Sequence, residues 1–445
     1  MSSHQVIPEG YKQTEAGIIP EDWSLVTLDD AANFLDGQRR PIKLGDRAKI
    51  KGQYPYYGAS GIVDYVNNYI FDGDFILLGE DGENILSRSL PLAFKASGKI
   101  WVNNHAHVMT PKASFHIDFL IPYLESLDYS LLNSGTAQPK LNKQSCLRIN
   151  VIKPSHEEQT AIANALSHVD ALLSELEKLI AKKQAIKTAT MQQLLTGKTR
   201  LPQFSIYVDG DKQGQIKGTK PSELGEIPED WDVSTIDNIS LLPMQNGLFY
   251  EPVRKGKGIP LINVSDMYTS APIDVDSLEL FDATEPEIKT FNVIEGDLFF
   301  TRSSIVPSGI AYCNVYSLAS RVAVFDSHLI KVRVNPSIAD YRFIYLNCLA
   351  AHARAHLVAN AKTATMTTID QKAIKSCPVL LPSIQEQTTI ATILSDMDEE
   401  IQALQQRLSK TRQIKQGMMQ ELLTGKTRLP FDKVDTKSQG EPNAD

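Results

Sequence analysis

The chain has 445 residues, enough for two or three domains that each bury a core. Apolar residues make up 42% and charged residues 22%, an ordinary balance for a soluble globular protein, and no apolar run approaches the roughly 18 residues of a membrane span. The net charge of −8 excludes a uniformly basic nucleic-acid binder, so any phosphate contact needs positive charge gathered on one face. Four scattered cysteines, with no C-x-x-C pair, point away from disulfides or a cysteine metal site and toward a reducing cytoplasm. The opening MSSHQVIPEGYK is too polar for a secretory signal.

Residues 1–23 form a short N-terminal segment ending in IPEDW (Ile19 to Trp23). Residues 24–153 mix β-like runs (YVNNYIF, DFILLG, IWVNN, VMT) with a helical piece, IDFLIPYLESL, as expected of an α/β domain. Its most charged stretch, GQRRPIKLGDRAKIKG, carries Arg39, Arg40, Lys43, Arg47, Lys49 and Lys51 against the single acid Asp46. YPYYGASG follows directly, and its Tyr56 and Tyr57 read as exposed aromatics. A basic run beside aromatics and glycines is a candidate nucleic-acid surface; the alternative is a solvated loop. The turn after DFILLG adds Glu80 and Asp81 as weaker candidates.

Residues 154–202 read as a long helix. Ile162, Leu166, Val169, Leu173, Leu176 and Ile180 recur at steps of four and three, the narrow seam of a coiled coil. Ser155 and Glu158 have capping-box spacing at its start. Its end, LLTGKTRLP, contains Gly-Lys-Thr, but a phosphate loop needs another glycine at position 192, where the chain has Gln192. The helix-stop reading fits each letter: Gly197 leaves the helix left-handed, Lys198 and Arg200 favour the negative end of the dipole, and Pro202 prevents continuation.

After a linker, residues 203–226, much of this is repeated. SELGEIPEDWDVSTIDN matches TEAGIIPEDWSLVTLDD at an offset of 208. Residues 227–381 form a second α/β domain with strands VIEGDLFF, RVAVF and LIKVRV and a helical run from Ala339 to Val358. Its basic stretch, QNGLFYEPVRKGKG, recurs at the matched place and offers Asn246, Arg254, Lys255 and Lys257 as candidates. Arg302 and Ser303 lie at the strand end matching Glu80 and Asp81. Residues 382–430 repeat the long helix at an offset of 228, with the seam Ile390, Leu394, Met397, Ile401, Leu404 and Leu408 and the same LLTGKTRLP ending, including Gly425, Lys426 and Arg428. Residues 431–445 read as a disordered acidic tail.

The expected fold is therefore α+β: two α/β domains joined by two long helices, with a pseudo-twofold internal repeat. Two matching seams more naturally pack on each other, in an antiparallel coiled coil, than on separate domains. Apart from FDGDFILLGEDG and VIEGDLFFTRSS, the domain interiors barely resemble each other, as suits two modules reading different things. No catalytic set emerges. HARAH (His352 to His356) lacks the glutamate of H-E-x-x-H, and His105, His107 and His328 are too few for a metal site.

IPEDW at both starts, P-x-x-x-EQ entering both helices and LLTGKTRL at both helix ends resemble the specificity subunits of Type I restriction-modification systems over the whole chain. YPYYGASG and LLGEDG resemble one type of target recognition domain. The resemblance implies a subunit without chemistry of its own, binding double-stranded DNA through one recognition domain per half-site of a bipartite target. It implies that the helices set the spacer. Two methyltransferase subunits would carry S-adenosylmethionine and methylate adenine at N6, and restriction subunits would carry ATP and Mg; no cofactor and no membrane contact are implied for this chain. A coiled-coil adaptor with two protein-binding heads and no DNA role is the competing expectation.

Overall fold

The computed structural model describes residues 7–135, 138–249, 251–269, 271–317, 321–363 and 366–430. The tail, residues 431–445, lies outside the described residues. The chain forms two compact units: Met1–Lys178 with Gln405–Asp445, and Leu179–Leu404. Each long helix contributes a part to both.

In the first unit, a hairpin of Tyr11–Thr14 and Gly17–Pro20 precedes the domain. Ser24–Thr27 pairs antiparallel with Asn150–Lys153, closing the domain at its two ends. Between them lies a six-stranded sheet of β1 (Ala32–Phe34), β2 (Lys51–Gly58), β3 (Gly61–Val66), β4 (Phe71–Gly79), β5 (Ala93–Val102) and β6 (Ala106–Pro111), in the order β1-β6-β4-β5-β2-β3. Only β2 and β5 run parallel. The run Phe75–Leu78 is buried on both faces, which is why it reads as continuous rather than alternating. Ile76 and Leu78 pack with Phe119, Leu120 and Leu124 of the helix Ile117–Ser126, whereas Phe75 and Leu77 join Ile100, Val102 and Val108. Two sequence expectations change here. YVNNYIF is not one strand but the end of β3, a turn and the start of β4; and the end of the basic run is not loop but the first residues of β2.

The second unit repeats the plan. Thr219–Ser222 and Gly225–Pro228 form the hairpin, and Asp232–Thr235 pairs with Pro378–Leu381. The strands of its two larger sheets are β7 (Gln245–Asn246), β8 (Lys255–Ile262), β9 (Glu279–Phe281), β10 (Asp297–Thr301), β11 (Cys313–Val315), β12 (Val324–Phe325) and β13 (Leu329–Arg333), and a third small sheet joins Ser303–Ser304, Thr367–Thr368 and Lys362–Thr363. The orders are β7-β13-β10-β11 and β9-β8-β12, with β8 parallel to β12. The succession β1-β6-β4-β5 is thus matched by β7-β13-β10-β11; a parallel pair extends the first sheet (β5-β2), whereas in the second domain the parallel pair β8-β12 lies in a separate sheet. The helical run from Ala339 is two helices, Tyr341–Leu349 and Ala351–Ala359, broken where Ala350 takes an extended conformation.

Both long helices, His156–Leu194 and Ile384–Leu422, span 39 residues, about 58 Å at 1.5 Å per residue. In the first unit Asp170 pairs with Lys415 (2.6 Å) and Glu177 with Arg412 (2.7 Å). In the second, Lys183 pairs with Glu400 (2.6 Å) and Lys187 with Asp398. Within each unit one number rises as the other falls, so the helices run antiparallel. The seam is a coiled-coil interface only in part. Ile162 and Leu166 enter the first domain's core with Leu422 and Leu423, and Ile390 and Leu394 enter the second's with Leu194 and Leu195. Leu176, Ile180 and Ile401 are buried; Val169, Leu173, Met397, Leu404 and Leu408 are half-buried.

LLTGKTRLP closes each unit. In the first, Arg428 forms forked pairs with Glu158 (2.6 and 2.8 Å) and Asp22 (2.9 Å each), while Trp23 Nε1 donates to Glu158 (2.8 Å). In the second, Arg200 grips Glu386 (2.7 Å each) and Asp230 (2.8 and 3.2 Å), while Trp231 donates to Glu386 (3.1 Å). The expected capping box is therefore only half made: Ser155 and Ser383 accept from the amides of Glu158 and Glu386, but both carboxylates turn to tryptophan and arginine. Gly197 and Gly425 are left-handed (φ +68° and +72°), and a Cβ on either would meet Pro228 or Pro20 at 2.5 Å. Arg200 and Arg428 are thus occupied internally, while Lys198 and Lys426 are exposed.

Candidate nucleic-acid interface

The basic stretch of the first domain divides into a buried floor and an outward edge. Arg39 is 13% exposed; its Nη1 donates to Glu80 (2.7 Å) and to the Ala106 carbonyl (2.7 Å). Glu80 also faces Lys140 at 3.4 Å. Beneath them His107 is buried with both ring nitrogens engaged, Nδ1 at 2.7 Å from Asp36 and Nε2 at 3.0 Å from the Leu141 carbonyl. Burial opposes the charged ring, but the bond to Asp36 and the nearby Cys146 outweigh it and hold the His107 pKa up at about 10.

Tyr56, expected to be exposed, is buried: its hydroxyl accepts from the Ile42 amide (3.0 Å) and its ring lies under Arg47 (4.8 Å). Tyr57 is half-buried against Phe94, and burial raises its hydroxyl pKa. Arg47 and Lys51 face Asp64, and Lys49 pairs with Asp46. Arg40 and Lys43 are exposed, and among the described residues their side chains have no hydrogen-bond or ion-pair partner. Trp101 Nε1 donates to the Arg40 carbonyl (2.6 Å), anchoring the backbone that presents them. Asp81 holds exposed His105 at 2.9 Å.

In the second domain, Arg254 is clamped by Glu287, whose pKa it pushes down to about 2. Lys255 pairs with Glu279 (3.1 Å) and Lys257 with Asp282 (2.9 Å). The remaining candidates converge. Asn246, Arg302 and Ser303 line one cleft of about 650 Å³ together with His328, Lys362, Asp370 and Gln371. Gln371 Nε2 donates to Asn246 Oδ1 (2.7 Å), and Ser303 Oγ lies 3.3 Å from His328 Nδ1. Sequence reasoning missed Lys362, Asp370 and Gln371; the only signal was a polar, small-residue stretch after the second short helix. Asp370 caps the helix Gln371–Lys375 by accepting from the Ala373 amide.

The matched strand ends are equivalent in backbone as well as in sequence. The Glu80 amide donates to the His105 carbonyl and its carbonyl accepts from Leu141; the Arg302 amide donates to the His328 carbonyl and its carbonyl accepts from Ile369. One fold position thus carries a carboxylate in one domain and a guanidinium in the other.

His352 and His356 engage Asn347 and Ser376, and among the described residues no group of three or more His, Cys, Asp or Glu could hold a metal. No described helix is long and apolar enough to cross a membrane.

The family model for the Type I restriction modification DNA specificity domain matches residues 20–188 and 228–412, one copy per half. A putative type I restriction enzyme specificity subunit of Haemophilus influenzae is 37% identical over 149 residues, 33% of this chain and 37% of that protein. The type I restriction enzyme MjaVIII specificity subunit of Methanocaldococcus jannaschii is 23% identical over 95% of this chain and 96% of its own. The EcoKI specificity subunit of Escherichia coli is 22% identical over 84% of this chain and 82% of its own. The crystal structure of a Type I restriction-modification S subunit from M. genitalium shares the fold, with a TM-score of 0.56 at 15% identity, covering 90% of this chain and 96% of that one.

Proposed function

The chain belongs to the Type I restriction-modification DNA specificity family, and from that premise we propose that it reads a bipartite double-stranded DNA target, one domain per half-site. The two long helices set the spacer between half-sites. The chain performs no chemistry; two methyltransferase subunits bring S-adenosylmethionine and methylate adenine at N6, and restriction subunits bring ATP and Mg to the same core. The reaction takes place in the cytoplasm, where the DNA is. The observation that carries this reading is the pairing of one backbone plan with two different sets of side chains. Four strands follow the same order in each domain and a matched Trp-Glu-Arg-Asp clamp closes each unit, yet the equivalent strand ends carry Glu80, held by Arg39 and Lys140, and Arg302, whose side chain has no partner among the described residues. Equivalent mounts with different contents suit a reader of two unlike half-sites.

Binding of the assembled complex to target duplex across a salt series tests this. Affinity should fall linearly on a log–log plot as counterions are released. Salt-insensitive assembly that ignores DNA would favour an adaptor with two protein-binding heads.

A further inference from the structure

We propose that Arg302 is a base-reading residue that recognises a guanine of the second half-site through its major-groove edge; this rests on the DNA-reading function above. Of the arginines between positions 227 and 381, Arg254, Arg321, Arg333 and Arg342 face carboxylates, and Arg354 donates to the carbonyls of Ser308, Ile310 and Ala311. Arg302 is exposed, and its guanidinium has no partner among the described residues. Its backbone is nonetheless fixed on both sides, by the His328 carbonyl (2.8 Å) and the Ile369 amide (3.0 Å). The strand end that carries the fork is thus held in place, while the guanidinium itself is left unengaged and able to donate to a ligand.

The cleft around it decides between base and phosphate. Phosphate offers only acceptors, and a cleft built for it would be lined by donors. This one sets Arg302 beside Asn246, Gln371 and the Lys362–Asp370 pair (3.4 Å), a mixture of donors and acceptors. Base edges present such mixtures, and guanine, with adjacent O6 and N7 acceptors, is the base a guanidinium fork matches. Glu80 at the equivalent position of the first domain is taken by Arg39 and Lys140, so the free fork distinguishes the second reader.

The test uses the chain assembled with its methyltransferase subunits and duplexes carrying 7-deazaguanine, which lacks the N7 acceptor, at each guanine of the mapped target in turn. The wild type should lose about 5- to 150-fold in affinity at one guanine of the second half-site. R302A should lose a similar factor on natural DNA and nothing further from 7-deazaguanine there, with the first half-site unaffected. Additive losses, with the 7-deazaguanine effect intact in R302A, would make Arg302 a phosphate contact and overturn the proposal. So would wild-type affinity in R302A, or a second half-site without guanine. If the wild-type complex shows no sequence preference at all, it is the DNA-reading function that fails.

Discussion

At the scale of single residues, the chain keeps most of its cations for itself. Arg200 is 10% exposed and holds a buried Glu386, whereas Arg428 is 34% exposed and holds a buried Glu158. Removing one partner of a buried pair leaves an uncompensated charge, a loss of several kcal/mol. R200A should destabilise the full chain by about 3 kcal/mol in denaturant unfolding, and R428A by less because water reaches its guanidinium; equal and negligible losses would refute the clamp. His107 gives a pH signature. Its pKa of about 10 in the folded chain lies above the roughly 6.5 of an unfolded histidine, so its contribution is complete below about 6.5 and is lost as pH rises through 10. H107Q should flatten the decline in melting temperature over that window, and an unchanged slope would show that the charged ring does not contribute. None of these clamps was legible in the sequence, because Glu80, Glu386 and Glu158 stand far from Arg39, Arg200 and Arg428 in the chain; a basic run looks the same whether its charges are free or paired.

At the scale of elements, the long helices were the most legible part, since a seam at steps of four and three survives any detail of packing. What the period does not reveal is what lies opposite. Ile162 and Leu166 face a domain core, and past Ile180 the seam passes to Lys183 and Lys187, whose ammonium groups reach Glu400 and Asp398. The repeat relates Lys187–Asp398 to Lys415–Asp170, so each unit repeats the same cross-helix pair. If the helices set the spacer, inserting one heptad after Ala181 and another after Leu404 should lengthen it by about three base pairs, since seven residues add roughly 10.5 Å along the helix. Mapping the methylated motif of that variant checks this: both half-sites should persist, and an unchanged spacer would end the ruler interpretation.

At the scale of the whole molecule, the repeated segments were written openly in IPEDW and LLTGKTRLP, but the common topology of the two domains was nearly invisible. Sheet pairing asks only for alternation and bulk, so β4 and β10 keep matching roles with few matching letters, and FDGDFILLGEDG against VIEGDLFFTRSS was the one surviving trace. The tyrosine at 56 misled for a related reason: an aromatic after a basic run serves equally as a surface or as a floor. The acidic total accords with a recognition surface that carries few free cations. Arg40 and Lys43 are the outward pair of the first domain, and R40A/K43A should weaken binding to all sequences alike and reduce the salt slope by about two, without altering the motif; a changed motif would instead place them at bases. The most direct test of the central claim is a genome-wide map of N6-methyladenine in cells carrying the system, with this chain intact and with it deleted. Methylation is expected at two short half-sites separated by a fixed unread spacer, and is lost entirely on deletion. A continuous motif, or methylation that survives deletion, would contradict it.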